Sequence, residues 1–64
     1  MKLNRDKVDL QLARHSHIKS LNSLANELEI SNTSMYRYFQ RSIRPKTASR
    51  IATVLGVDVQ DIID

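Results

Sequence analysis

Asn32, Thr33, Tyr36 and Arg37 fall within the short stretch ISNTSMYRYFQRS, Ile30–Ser42, and bring together an amide, a hydroxyl, a phenol and a guanidinium. Their shared chemistry is hydrogen bonding to flat, edge-presented partners. Arg bonds guanine O6 and N7 with one planar fork, and Asn bonds adenine N6 and N7. Thr offers a hydroxyl or a methyl contact to thymine, and Tyr packs on bases or bonds a phosphate. If the stretch is helical with Met35 inward, steps of about 100° put Tyr38 and Phe39 within about 60° of Met35. Thr33, Tyr36, Arg37 and Gln40 then face outward, with Asn32 at the N-terminal tip. An ordinary solvated helix favours Ala, Glu and Lys, whereas Asn, Thr and Tyr are indifferent helix formers. The outward face is therefore read as a recognition surface.

Charge supports that reading. Net charge is only +3, but Arg37, Arg41, Arg44, Lys46 and Arg50, half of the ten basic residues, lie between Ser31 and Arg50, where there is no acid. The acids stand outside, at Asp6, Asp9, Glu27, Glu29, Asp58, Asp61 and Asp64. A single-sign stretch inside a folded unit suits a polyanionic partner. Catalysis and metal binding have weaker support. A core this small has little room to desolvate a catalytic pair. The pair His15-x-His17 lacks cysteine or a placed carboxylate to complete a metal site. Such histidines more often are solvated or sit at a helix C-terminus.

These side chains must be positioned by helices. With one glycine and one proline in 64 residues, hairpins have few turn residues to use. Leu21, Leu24, Ala25 and Leu28 follow the i, i+3, i+4, i+7 pattern behind Ser20 as N-cap. Ser31 plays the same part for the next helix. Only Glu29 and Ile30 lie between, so the two helices must cross steeply, as in a helix-turn-helix. SIRPKT reads as a loop, followed by a helix capped by Thr47 that buries Ala48, Ile51, Ala52 and Leu55 and stops at Gly56. The closing VDVQDIID predicts a short helix capped by Asp58. The first helix, from an Asn4 cap to His15, is ambiguous, because Val8, Leu10 and Leu12 alternate. The expected core is Val8, Leu12, Leu24, Ala25, Leu28, Ile30, Met35, Tyr38, Ile51, Ala52, Leu55, Val57 and Ile62.

The segment SLNSLANELEISNTSMYRYFQ resembles the helix-turn-helix of phage repressor and Cro-type (Xre-type) DNA-binding proteins, and RPKTASRIATVLGVDVQDII is similar to that family's closing pattern. The resemblance covers residues 20–63. It implies an all-α, compact five-helix, lambda-repressor-like domain over residues 1–64, with the motif at about 21–41. It carries base reading onto Asn32, Thr33, Tyr36 and Arg37, and phosphate contacts onto Ser20, Leu21 and Gln40. Arg41, Arg44 and Lys46, in the following loop, are expected to hold further phosphates. Three positions depart from the family: Glu29 where Gly is usual, Leu21 where a phosphate-binding Gln is frequent, and Phe39 where many members pair a Glu with an Arg of the first helix. Helix 1 is then expected to be held by packing. TSMYRYF is also similar to the recognition helix of tetracycline-repressor-type regulators, but the closing segment favours the repressor/Cro family.

The expected function is a transcriptional regulator binding a double-stranded DNA operator, of the phage or mobile-element repressor kind. It would act as a homodimer through Val57, Val59, Ile62 and Ile63 or the loop at Ile43. No cofactor, metal or small-molecule ligand is indicated. With no cysteine, no signal-peptide core and no apolar run near the length of a membrane span, a cytoplasmic protein is expected. The rival reading is a protein-interaction module of the same fold (an antirepressor, excision factor or antitoxin) gripping its partner through Tyr36, Tyr38 and Phe39.

Overall fold

The computed structural model describes all 64 residues as four α-helices and a closing turn. They are α1 (Arg5–Arg14), α2 (Leu21–Glu27), α3 (Asn32–Gln40), α4 (Pro45–Leu55) and a single 3-10 turn at Val59–Asp61. The helix starts follow their caps. Asn4 Oδ1 accepts from the Lys7 N–H at 2.9 Å, Ser20 Oγ from Ser23 at 3.1 Å, and Ser31 Oγ from Ser34 at 3.1 Å.

Two expected boundaries are corrected. Helix α4 starts at Pro45 with Arg44 as its extended N-cap, and Thr47 lies inside the first turn. Proline's fixed φ suits the first helical position, and it holds the preceding residue extended, so Pro45 opens the helix instead of closing a loop. The expected fifth helix is only a 3-10 turn. The Asp58 N–H donates to Asp61 Oδ2 at 3.2 Å, and Ile63 is then drawn into an antiparallel bridge with Leu3, so the turn cannot propagate.

The core consists of 15 buried residues, all hydrophobic. Val8 and Leu12 point inward from α1 while Leu10 is 55% exposed, which resolves the alternating pattern as a helix. Leu24, Ala25, Leu28, Met35, Ile51, Ala52, Leu55 and Ile62 are buried as expected. Ile30, Tyr38 and Val57 only pack against the core's edge, and Leu3, Ile18, Leu21, Ile43 and Ala48 complete it. Three of these, Leu3, Ile18 and Ile43, lie outside any helix, where helical periodicity gives no signal.

The turn between α2 and α3 closes with two bonds: Ile30 N–H to the Ala25 carbonyl at 3.0 Å and Glu29 N–H to Asn26 at 3.1 Å. The end of α4 closes the same way, from Val57 to Ala52 and from Gly56 to Thr53. This is the Schellman arrangement, whose pivotal residue is left-handed. Gly56 adopts φ 73°, and Glu29 adopts φ 59° despite its side chain. Arg50 of α4 reinforces the first turn, its Nη2 donating to the Leu28 carbonyl at 2.7 Å.

Ahead of α1, the first residues form an extended clip. Lys2 bridges Ser42 and Leu3 bridges Ile63, both antiparallel. The Ile43 N–H donates to the Met1 carbonyl at 2.6 Å, the Asp64 N–H to Lys2 at 3.0 Å, and the Asn4 N–H to Ile62 at 2.8 Å. Lys7 Nζ adds a bond to the Ile63 carbonyl at 2.7 Å. The α3–α4 connection is thereby tied to both ends of the described chain.

Candidate nucleic-acid interface

Helix α3 is nine residues long, or about 13.5 Å at 1.5 Å per residue. Met35 anchors it with no exposed surface, and Tyr38 and Phe39 lean on the core beside it. Asn32, Thr33, Tyr36, Arg37 and Gln40 are exposed, so the outward ridge carries the residues the helical wheel assigns to it. Tyr36, at 45% exposure, is one of three large hydrophobic side chains left open to solvent.

A groove runs along each side of the ridge. One, between α3 and the start of α4, is lined by Arg37, Arg41 and Arg44 together with Ser34, Ser42 and Thr47. The other, between α1 and the start of α2, is lined by Arg5, Lys19, Ser20, Asn22 and Tyr36, with Asp9 at its wall. The molecule has one ion pair, Arg5 with Asp9 at 3.3 Å. The three arginines of the α3–α4 groove therefore have no acidic partner within the molecule and are open to an external anion.

The remaining sequence-assigned residues are distributed less simply. Ser20 uses its hydroxyl to cap α2, and Leu21 is buried, so Leu21 can offer only its backbone N–H. Gln40 is exposed at the end of α3. Lys46 stands in the first turn of α4, not in a loop, and lines a different depression with Leu28, Ile30, Tyr38 and Arg50. Arg50, one of the five cations of the acid-free stretch, is engaged with Leu28. His15 Nδ1 accepts from the N–H groups of His17 at 3.0 Å and Ile18 at 2.9 Å, so that lone pair shapes the α1–α2 connection and is not free for a metal. Sequence reasoning missed the Arg5, Lys19 and Asn22 wall. Nothing in periodicity links α1 to the face of α3; only the fold brings Arg5 beside Tyr36.

Helix 1 is joined to α3 by more than aliphatic packing. The Arg5 guanidinium lies over the Phe39 ring at 5.1 Å from its centroid and beside the Tyr36 ring at 5.7 Å. A cation shared by two aromatic rings thus adds to the packing expected to hold helix 1.

Helices α2 and α3 joined by a tight hydrogen-bonded turn, an exposed polar ridge and flanking arginines without acidic partners define a helix-turn-helix DNA-binding domain. Comparison with family models agrees: the Cro/C1-type HTH DNA-binding domain matches residues 10–64. The chain belongs to that family. The match begins within α1 and leaves the clip and the first half of α1 outside it. Searches of curated proteins and of solved structures gave no match.

Proposed function

We propose that the protein is a sequence-specific transcriptional regulator of the phage or mobile-element repressor kind, which lays α3 in the major groove of an operator. A helix with its side chains is about 10–12 Å across, and the groove is about 12 Å wide. Asn32, Thr33, Tyr36 and Arg37 read base edges. Arg41 and Arg44 hold phosphates on one side of the ridge. Ser20, the Leu21 N–H and Gln40 hold them elsewhere along it, and Lys46 extends the basic surface at the start of α4. Occupying the operator excludes polymerase, with no cofactor or small-molecule ligand required, and the protein works in the cytoplasm. The observation that carries this reading is the exposed ridge over Met35, flanked by arginines without acidic partners.

The test is a two-part binding experiment. Selection from random duplexes should return one half-site sequence. Titration of that duplex at rising salt should give a log–log slope of about −0.9 per phosphate neutralised. Failure to bind any duplex at low salt, or binding indifferent to salt, would favour the protein-partner reading.

A further inference from the structure

We propose that Arg5 is a positioning residue for base recognition: its guanidinium, which meets the rings of both Phe39 and Tyr36, holds Tyr36 in one rotamer before DNA arrives. The inference rests on the reading of Tyr36 as a base-contacting residue. Arg5 opens α1 and Tyr36 sits on the exposed ridge, so the stack joins two helices that no backbone hydrogen bond connects directly. The guanidinium is 5.1 Å from the Phe39 centroid and 5.7 Å from the Tyr36 centroid, inside the range of a cation–π contact. Its Nε donates to Asp9 Oδ1 at 3.3 Å, one turn along the same helix. Asp9 therefore tethers the guanidinium from its own helix, while the Phe39 and Tyr36 rings meet it from α3. Only Nε is engaged with Asp9, so the competing role, a phosphate contact through the Nη groups, is separated by the experiment below.

An exposed tyrosine with no such rest must be ordered when it binds. Immobilising one rotamer-rich side chain weakens binding by about 2- to 12-fold, and preorganisation removes that loss. Phe39 is what makes the arrangement possible. A carboxylate at position 39 would draw the arginine into an ion pair, whereas a ring offers a face against which the guanidinium can rest while it also meets Tyr36. Lys cannot substitute, since an ammonium has no plane to stack.

The test uses the full chain, a duplex recovered by selection, the same duplex altered at the base pair whose preference Tyr36→Ala abolishes, and mixed-sequence DNA. Three-bond couplings in the free protein report the Tyr36 χ1 angle. The expected results are a single rotamer in the wild type and rotamer averaging in both Arg5→Leu and Arg5→Lys. Both variants should lose about 2- to 12-fold on the selected duplex. They should keep the affinity for mixed-sequence DNA and the salt slope unchanged. Arg5→Leu combined with Tyr36→Ala should bind no worse than Tyr36→Ala alone. Thermal melting of each variant separates unfolding from loss of positioning, and the half-exposed Arg5 side chain is expected to be dispensable for folding. Equal loss on all three duplexes, with a slope reduced by about one unit and rescue by Lys, would make Arg5 a phosphate contact and overturn the proposal. An unchanged Tyr36 rotamer in Arg5→Leu would overturn it as well. If Tyr36→Ala leaves base preference intact, the reading of Tyr36 fails in a measurement that does not involve Arg5, and the proposal falls with it.

Discussion

At the scale of single residues, Arg37 and Arg44 line the same groove yet should fail differently. Arg37 projects from the ridge, and one bidentate contact to a guanine contributes about 1–3 kcal/mol of discrimination. Arg37→Ala is expected to relax preference at one base position by that amount, read by repeating the selection with the variant. Arg44, the N-cap of α4, is assigned to a phosphate in the proposed reading, so Arg44→Ala should weaken every duplex alike and flatten the salt slope by about one unit. If the two variants behave identically, the division between base reading and phosphate holding is wrong. Glu29 offers a test independent of DNA. Its φ of 59° costs an L-residue about 1–2 kcal/mol, while glycine's freer unfolded chain gives back about 0.5–1 kcal/mol of that gain. Glu29→Gly should therefore stabilise the fold by about 0.5–1 kcal/mol, seen as a higher urea midpoint with the denaturant slope unchanged. His15 supplies another case, where Nδ1 receives two backbone N–H groups. His15→Ala removes the acceptor from one exposed and one part-buried N–H and should destabilise by about 0.5–1.5 kcal/mol in chemical denaturation, while His15→Asn, which retains an acceptor, should lose less.

At the scale of elements, what the sequence made legible depended on where the information lay. The α2–turn–α3 unit was readable because Ser20 and Ser31 are local caps and Met35 is a local anchor; each signal is contained within one helical turn. The exposure of Thr33, Tyr36 and Arg37 followed from the same arithmetic. Pro45 was misread because the same residue can follow a loop or open a helix, and only the extended Arg44 decides between them. The Met1–Leu3 clip was not legible at all: its partners lie at Ser42 and Ile63, and a single bridge on each side leaves no period to detect. The Arg5 stack was hidden for the same reason. Yet the clip matters to the candidate site, because Ile43 is buried and hydrogen-bonded to Met1 between Arg41 and Arg44. Leu3, 3% exposed, holds it down. Leu3→Ala should cost about 2–5 kcal/mol, a large part of the roughly 3–10 kcal/mol expected for a chain of this size. The loss should begin locally. In hydrogen exchange the amides of Ile43 and Asp64 are expected to lose protection before those of Leu24 or Met35. Uniform loss across all four would show that the clip has no separate opening and does not independently order the arginine-bearing connection.

At the scale of the whole molecule, size argues for a partner copy. The longest extent of the fold is 27 Å, whereas successive major-groove faces on one side of B-DNA are about 34–36 Å apart. One copy therefore reaches a single half-site, and one nine-residue helix reads only a few base pairs. Two copies related by a two-fold axis would double the sequence read and require a pseudo-palindrome. The fold narrows where they would meet. Ile43 and Ile62, both sequence candidates for the contact, are spent in the core, leaving Val57, Val59 and Ile63 as the half-buried apolar residues near the closing turn. The predicted outcome is a selected site with two inverted copies of one half-site, their centres one helical turn or a multiple apart. Sedimentation should show two copies per full site and one per isolated half-site. Ile63→Lys, placing a charge at that edge, should weaken full-site binding much more than half-site binding and leave the base preference unchanged. If selection returns a lone half-site, or the full site carries one copy at saturation, the two-fold arrangement is wrong. The ridge on α3 would then be reading DNA as a monomer.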